Sequence, residues 1–200
     1  VTRDGAGMID NYSEGGRNST ERWNDTHVDL GNRQAGFAAR AQQGYPILVA
    51  VDETGVLGYA SFGDWRPFEG FRNTVEHSVY VRSDQRGKGL GPALMTLLVE
   101  RARSGGKHVM VAAIESGNAA PVRLHERLGF VITGHMPQVG DKFGRWLDLN
   151  FMQLLLNHGA ATTSARTFPG AGATWRSRSA VAAPPAATPA PVPQDRYGVV

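Results

Sequence analysis

Apolar residues recur at strand and helix spacing between residues 27 and 155, and the segments on either side lack this pattern. The spacing predicts strands over 47–51, 56–62, 74–82, 108–114, 130–135 and 145–155. It predicts helices over 32–43, 90–103 and 118–128. This order of elements predicts a single α/β domain built on a mixed sheet of the α+β type.

The strand predicted over 74–82 has two chemically different faces, since successive side chains of a strand point to opposite sides. One face carries Val75, His77, Val79 and Val81. The opposite face carries an acid and three hydroxyl side chains, namely Thr74, Glu76, Ser78 and Tyr80. We therefore expect the side chains of Glu76 and His77 to lie on opposite sides of the sheet.

The two flanks differ in composition from the patterned middle. Residues 1–22 are polar, glycine-rich and poorly patterned, and we interpret them as an eroded first strand and helix rather than as a signal peptide. The domain itself is predicted over 23–156. Residues 158–200 contain 11 Ala and 6 Pro, a composition that buries too little apolar surface to offset the entropy of ordering. The segment 157–200 is therefore predicted to be a disordered tail.

Composition and charge exclude whole classes of function. The chain has no cysteine, which excludes disulfides, cysteine-ligated zinc and thiol nucleophiles. The net charge is +3, but residues 1–157 carry 17 basic and 17 acidic side chains, which argues against a nucleic-acid partner. No apolar run approaches the roughly 18 residues of a membrane span. We expect a cytoplasmic protein with no metal, no membrane partner and no nucleic-acid partner.

The segment 86–91, Arg-Gly-Lys-Gly-Leu-Gly, joins a predicted strand to a predicted helix. Its glycines allow a sharp turn and a close backbone approach to a ligand, and the N–H groups at the start of a helix favour an anion. The spacing is neither Gly-x4-Gly-Lys-Ser/Thr nor Gly-x-Gly-x-x-Gly. Pyrophosphate binding without magnesium suits coenzyme A, and the alternative is a glycine-rich connection that binds nothing.

The same segment carries Arg86-x-x-Gly89-x-Gly91, which resembles the (Q/R)-x-x-G-x-(G/A) motif of the GNAT acetyltransferases. The segments 63–68, 74–81, 124–130 and 142–148 together resemble the phosphinothricin and methionine sulfoximine N-acetyltransferases of that superfamily. The resemblance covers about residues 24–155. It implies the GNAT acyl-CoA N-acyltransferase fold, in which helices flank a mixed, mostly antiparallel sheet with a splayed strand pair.

The resemblance also implies acetyl-CoA as the co-substrate. In these enzymes the pantetheine arm pairs with the strand before the glycine loop, and the loop holds the pyrophosphate. The positions that match cofactor contacts are Val79, Tyr80, Val81, Arg86, Gly87, Lys88, Gly89, Leu90, Gly91, Pro92, Asn118 and Arg127.

Two side chains are candidates for catalysis. Glu76 matches the base of the family, a carboxylate that takes the proton of the substrate ammonium group. The alternative for Glu76 is an ordinary strand carboxylate that faces solvent. His125 is either a site-lining proton relay or a structural histidine. Many family members protonate the leaving thiolate with a tyrosine on a later helix, and the corresponding position here offers none, so the general acid is unassigned.

The implied substrate is a small amino acid, and an arginine can hold its carboxylate through a forked pair of hydrogen bonds. The residues expected to contact it are Arg66, Pro67, Phe68, Arg72, Glu76, His77 and Ser78, with His77 contributing its backbone. The loop 142–145 is expected to complete the pocket across the interface of a homodimer, the usual state of the family.

The resemblance thus predicts an N-acetyltransferase that moves an acetyl group from acetyl-CoA to the α-amino group of methionine sulfoximine, methionine sulfone or phosphinothricin. One alternative is a GNAT domain that acts on another amine, such as a peptide N-terminus. A second alternative is a degenerate domain that binds acyl-CoA without turnover. The weak pattern before residue 23 favours this second alternative, and the presence of Glu76 opposes it.

Overall fold

The computed structural model describes residue 36, residues 38–157 and residues 197–199, and residues 38–42 are helical. The strands are β1 (Ile47–Asp52), β2 (Gly55–Asp64), β3 (Thr74–Val81), β4 (Val109–Glu115), β5 (Val131–Lys142), β6 (Arg145–Leu155) and β7 (Tyr197–Val199). The helices are α1 (Leu90–Ser104) and α2 (Ala119–Arg127), with 3-10 turns at Glu69–Phe71 and Ser83–Gln85. Residues 32–35 and 37 of the helix predicted over 32–43 lie outside the described residues, and residue 43 belongs to the turn that follows the helix.

All seven described strands form one sheet in the order β5-β6-β4-β3-β2-β1-β7. Every neighbouring pair is antiparallel except β3 and β4, which are parallel and are connected through α1. A parallel pair needs such a crossover, because a tight turn can only reverse the chain direction. The prediction of a mixed, mostly antiparallel sheet with flanking helices is confirmed.

Apolar layers cover both faces of the sheet. On one face α1 inserts Leu94 and Leu98, both 0% exposed, into a core that includes Val75 of β3. Tyr80 of the same strand belongs to the layer on the other face, where its ring stacks on Tyr59 at a centroid distance of 5.9 Å. The alternation of faces predicted for β3 is therefore confirmed.

Gly58 of β2 occupies a position where the neighbouring strand leaves no room for a side chain. A Cβ atom at this position would lie 2.5 Å from the backbone oxygen of Tyr80. We expect Gly58→Ala to lower the free energy of unfolding by roughly 1–3 kcal/mol, the usual cost of forcing a group into a packed interior. Gly70→Ala is the control, because a Cβ there meets nothing within 4 Å. Urea denaturation compares the two variants, and equal stabilities would contradict the prediction.

The strand predicted over 130–135 is too short, because β5 continues to Lys142. Pro137 and Gly140 interrupt the alternation of the sequence there and favour a loop. The structure accommodates both through an irregularity in which the register with β6 shifts and Gln138 adopts a φ of 52°. An edge strand tolerates such a bulge, since one of its sides has no partner strand to pair with.

The two flanking segments fall almost wholly outside the described residues. The predicted N-terminal segment 1–22 lies outside them, and so does most of the predicted tail 157–200. The structure differs from the prediction of disorder at β7, which pairs antiparallel with β1 at the edge of the sheet. In the part of the chain that the structure describes, no helix is both long enough and apolar enough to cross a membrane.

Candidate active site

The parallel pair of β3 and β4 opens into a cleft. Among the described residues, the ladder between these strands joins 74–76 to 109–111, whereas β3 continues to pair with β2 up to its end. A cavity of about 720 Å³ lies beyond the last pair, between residues 76–81 of β3 and 112–115 of β4. The loop before α1, the start of α1 and one side of α2 close it. This opening is the splayed strand pair that the resemblance implied.

Most of the residues predicted to contact acetyl-CoA line this cavity. They are Val79, Tyr80, Val81, Arg86, Gly87, Gly89, Leu90, Gly91, Pro92, Asn118 and Arg127. Lys88 is not in the cavity wall, and its Nζ donates a hydrogen bond to Oε1 of Gln85 at 3.0 Å. The structure therefore brings the predicted set together, with the exception of Lys88. The position of Lys88 between two glycines in the sequence did not indicate that it lies outside the cavity wall.

The loop before α1 turns through two glycines in left-handed conformations. The φ angles are 74° at Gly87 and 84° at Gly89, values that residues with a Cβ atom rarely adopt. Gly89 is also the N-cap of α1 and offers no side chain to cap it. The first N–H groups of a helix lack partners within the helix and carry the positive end of its dipole, so this end of the cavity favours an anion.

Part of the cavity wall comes from residues that the sequence analysis did not select. Ala112 and Ala113 of β4 lie across the cavity from β3. The sequence did contain one indication of this wall, namely two successive alanines in a predicted strand, where β-branched residues are usual. Glu115 also lines the cavity, and its Oε1 accepts a hydrogen bond from the N–H of Gly117 at 2.8 Å. This bond fixes the turn that leads into α2.

Glu76 lies in the cavity wall on the face of β3 that is opposite α1. Its carboxyl group is partly buried, and burial raises its pKa, while the charges of Arg66 and then Arg40 act to lower that pKa. A carboxylate with a raised pKa accepts a proton more readily than an exposed one. Glu76 is therefore electrostatically suited to general-base chemistry at the cavity.

Arg40 is a candidate functional residue that the sequence analysis missed. It lies in the helical segment 38–42 and is partly buried. A Cβ atom at Gly63, the residue paired with Glu76 across β2 and β3, would lie 3.5 Å from Nε of Arg40. The guanidinium group thus lies over β2 beside Glu76, and burial lowers the pKa of Arg40. Nothing in the sequence distinguishes this arginine from one that faces solvent.

His77 and His125 form a hydrogen-bonded pair of nearly parallel rings in the cavity wall. Their ring centroids are 4.9 Å apart at an angle of 13°, and their Nε2 atoms are 2.9 Å apart. Nδ1 of His125 lies 2.7 Å from the backbone oxygen of Pro121, and the ring of Phe130 packs edge-on against both imidazoles. Burial, reinforced by His125, lowers the pKa of His77 to about 3, and burial lowers the pKa of His125. Both rings are therefore neutral at neutral pH.

The loop after β2 lies beside this cavity rather than in its wall. The guanidinium group of Arg66 stacks on Trp65 at 4.4 Å, Phe68 is 68% exposed, and Arg72 donates a hydrogen bond to the backbone oxygen of Glu69 at 3.1 Å. The predicted substrate residues in the cavity wall are Glu76, His77 and Ser78, and those outside it are Arg66, Pro67, Phe68 and Arg72. Arg66 is still linked to the cavity through its charge interaction with Glu76.

The cavity combines three chemical elements along its length. The N-terminus of α1 attracts an anion, the edge of β3 beyond residue 76 presents extended backbone, and Glu76 supplies a partly buried carboxylate. A long carrier molecule with phosphate and amide groups fits the helix N-terminus and the strand edge, because phosphates bind helix N-termini and amide groups pair with a strand edge. The carboxylate of Glu76 fits a second substrate that has to lose a proton during the reaction.

Comparison with known proteins agrees with a cavity for a phosphorylated carrier and an amine. Residues 9–130 match the Acetyltransferase (GNAT) family. A Pseudomonas paraeruginosa protein named L-methionine sulfoximine/L-methionine sulfone acetyltransferase is 70% identical over 152 residues, which cover 76% of this chain and 88% of that relative.

Solved structures agree with the fold. An acetyltransferase from Salmonella typhimurium, solved with its cofactor acetyl-CoA, is 56% identical with a TM-score of 0.76, covering 80% of this chain and 93% of that one. A phosphinothricin acetyltransferase of the GNAT superfamily from Sinorhizobium meliloti, in complex with acetyl-CoA, is 36% identical with a TM-score of 0.78, covering 84% and 92%.

Proposed function

Because the chain belongs to the acetyltransferase (GNAT) family and is an acetyl-CoA-dependent N-acetyltransferase, we propose that it acetylates the α-amino group of methionine sulfone, methionine sulfoximine or phosphinothricin. The observation that carries this substrate class is the 70% identity to a relative named for the first two compounds. The likeness to a phosphinothricin acetyltransferase supports the third.

The residues of the cavity fit acetyl-CoA. The N-terminus of α1, with Gly87 and Gly89, would hold the pyrophosphate through backbone N–H groups, and Arg86 would add a positive charge. The edge of β3 at Val79 and Val81 would pair with the amide groups of the pantetheine arm. Asn118 and Arg127 would contact the coenzyme from α2 and the turn before it. When bound, acetyl-CoA supplies an activated acetyl thioester.

Glu76 then has a defined part in the reaction. Its carboxylate takes a proton from the substrate ammonium group, directly or through a water molecule. The neutral nitrogen forms a C–N bond with the acetyl carbon while the C–S bond breaks and the sulfur leaves as a thiolate. The nitrogen then loses its second proton to become the amide, and the thiolate gains a proton to become free coenzyme A. The general acid for this last proton transfer stays unassigned.

Positive charge near Glu76 would attract the carboxylate of the amino-acid substrate. Arg66 and Arg40 both interact with Glu76 through their charges, so they lie close enough to act on a substrate whose amine sits at that carboxylate. We propose that Arg66 anchors the carboxylate, with Pro67, Phe68 and Arg72 forming the outer wall of the substrate site.

Substrate selectivity tests the proposal. We expect kcat/KM for L-methionine sulfone, L-methionine sulfoximine or phosphinothricin to exceed that for a peptide with a free N-terminal alanine, because the peptide lacks a carboxylate next to its amine. Coenzyme A release with each amine at saturating acetyl-CoA measures the ratio. A preference for the peptide would contradict the proposed substrate class while leaving the acetyltransferase activity in place.

The pH profile tests the charge environment of Glu76. Burial raises the pKa of this carboxyl and Arg66 opposes the rise, so removing the charge of Arg66 raises that pKa further. A base is active when deprotonated, so we expect Arg66→Gln to shift the acid limb of kcat/KM to higher pH. Arg72→Gln is the control, and the limb should not move in that variant. A shift in the opposite direction for Arg66→Gln would contradict the proposed interaction.

We also propose that the chain forms a homodimer through the hairpin of β5 and β6. Large apolar side chains are exposed along this hairpin, namely Val131, Ile132, Met136, Val139, Phe143, Trp146 and Leu155. Exposed apolar area of this extent is typical of an interaction surface.

Sedimentation should give twice the chain mass of 21.5 kDa, and Trp146→Lys should yield the monomer. Phe68→Lys, outside the hairpin, is the control, and a monomeric parent protein would contradict the proposal.

A further inference from the structure

The two paired histidines come from elements far apart in the sequence, and their hydrogen bonds determine where their protons lie. His77 belongs to β3 and His125 to α2, and the Nε2 atoms of the two rings are 2.9 Å apart. Two nitrogens at this distance share one hydrogen, because two N–H groups would repel and two lone pairs would not bind.

The proton of His125 is fixed by the carbonyl group of Pro121. A backbone oxygen can only accept a hydrogen bond, so Nδ1 of His125, 2.7 Å away, carries the hydrogen. A neutral imidazole has one N–H, and Nε2 of His125 is therefore a bare acceptor. The shared hydrogen of the Nε2 pair must then belong to His77, which donates it to His125.

The remaining nitrogen of the pair supports this arrangement. Nδ1 of His77 is enclosed and has no hydrogen-bond partner among the described residues. In the neutral arrangement this atom is a bare lone pair. In a charged arrangement it would carry a hydrogen with no acceptor, and a buried, unpaired N–H beside a buried charge is costly. Glu76, the nearest acid along β3, points to the opposite face of the strand and cannot offset that charge.

We propose that His77 is a positioning residue whose Nε2–H, together with the carbonyl group of Pro121, holds His125 in a single tautomer and orientation, so that the two histidines form a neutral unit in the cavity wall. Both nitrogens of His125 are then engaged, and His125 does not take the proton from the substrate amine. The base role is left to Glu76. The proposal rests on the proposed function only in assigning acetyl transfer to this cavity.

Nitrogen-15 NMR of the histidine rings tests the proton assignment without any turnover. In the parent protein we expect His125 to show a protonated Nδ1 and a bare Nε2, and His77 to show the reverse, with this pattern unchanged from pH 8 to pH 6. A protonated Nε2 on His125, or proton uptake by His125 within that range, would overturn the proposal. The parent spectrum alone decides this point, so the test does not depend on a variant that folds.

Two variants test whether His77 holds His125. His77→Phe keeps an aromatic ring against Phe130 but loses the donor. Pro121 still accepts the hydrogen bond from Nδ1 of His125, so we expect the change at Nε2 of His125, whose resonance should move to that of a nitrogen without a hydrogen bond. His77→Gln offers an amide N–H in place of the imidazole N–H, and we expect it to restore the parent resonance in part. An unchanged His125 spectrum in His77→Phe would overturn the positioning role.

Kinetics of the same variants add a readout that a purely structural role would not give. His77, His125 and Glu76 line the same cavity, so a reoriented His125 ring should disturb the place where the acetyl group is transferred. We expect kcat of His77→Phe to fall roughly five- to tenfold, the value of one neutral hydrogen bond, with the dissociation constant of acetyl-CoA unchanged. His77→Gln should recover part of kcat. Equal kcat in all three proteins would overturn the proposal, whereas failure of the parent protein to acetylate any of the three amino acids would count against the proposed function alone.

Discussion

Glu76→Gln lowers kcat by roughly two to four orders of magnitude if Glu76 is the base, the range that general acid–base groups contribute. Glutamine has nearly the same size as glutamate but cannot accept the proton of the substrate ammonium group. Coenzyme A release with saturating L-methionine sulfone measures the loss. The loss should shrink as the pH rises, because more of the amine is then already deprotonated in solution.

A matched control separates the base from a general effect of charge in the cavity. Glu115 is a second carboxylate in the cavity wall, and its Oε1 accepts the hydrogen bond from the N–H of Gly117. Glutamine can keep that bond through its own side-chain oxygen, so we expect Glu115→Gln to retain most of kcat. Both variants should bind acetyl-CoA with unchanged affinity. Equal losses in the two variants, or full activity of Glu76→Gln, would contradict the assignment of the base.

Gly89→Val raises the dissociation constant of acetyl-CoA by roughly tenfold or more, since holding a β-branched residue in a left-handed conformation costs about 1–3 kcal/mol. Gly89 has a φ of 84° and is the N-cap of α1, where the proposed pyrophosphate site lies. Relief of the strain moves the N–H groups that would contact the phosphates. Isothermal titration calorimetry with acetyl-CoA measures the change.

Gly106→Val is the control for backbone strain. Gly106 follows the C-terminal end of α1 with a φ of 72°, and it is not part of the cavity wall. Valine is strained to a similar degree at both positions, so both variants should lose similar thermal stability. Affinity for acetyl-CoA should fall in Gly89→Val alone. A parallel loss of affinity in Gly106→Val would show that the effect arises from general destabilisation.

Sequence reasoning succeeded where a local pattern reflects a local physical requirement. The faces of β3 could be predicted because alternation along a strand is a property of neighbouring residues, and Val75 and Tyr80 do lie in different layers. The glycine loop could be recognised because left-handed backbone at Gly87 and Gly89 selects for glycine. The assignment of acetyl-CoA and a substrate class came from the resemblance, not from these patterns.

Features that depend on contacts between distant residues could not be predicted in the same way. Arg40 approaches Glu76, and His77 contacts His125. Both interactions join segments that are far apart in the sequence, and no local pattern indicates that these segments meet. The length of β5 was hidden because Pro137 disrupts a strand pattern that an edge position tolerates. Lys88 could not be distinguished from Arg86, since both flank a glycine and only the fold turns one of them out of the cavity wall.

The most direct test of the proposed function is to incubate the protein with acetyl-CoA and L-methionine sulfone, L-methionine sulfoximine or phosphinothricin, and to identify the product by mass spectrometry. We predict one N-acetylated amino acid for each coenzyme A released, with saturation in both substrates. Saturable binding of acetyl-CoA without an N-acetylated product from any of the three compounds would contradict the proposed function.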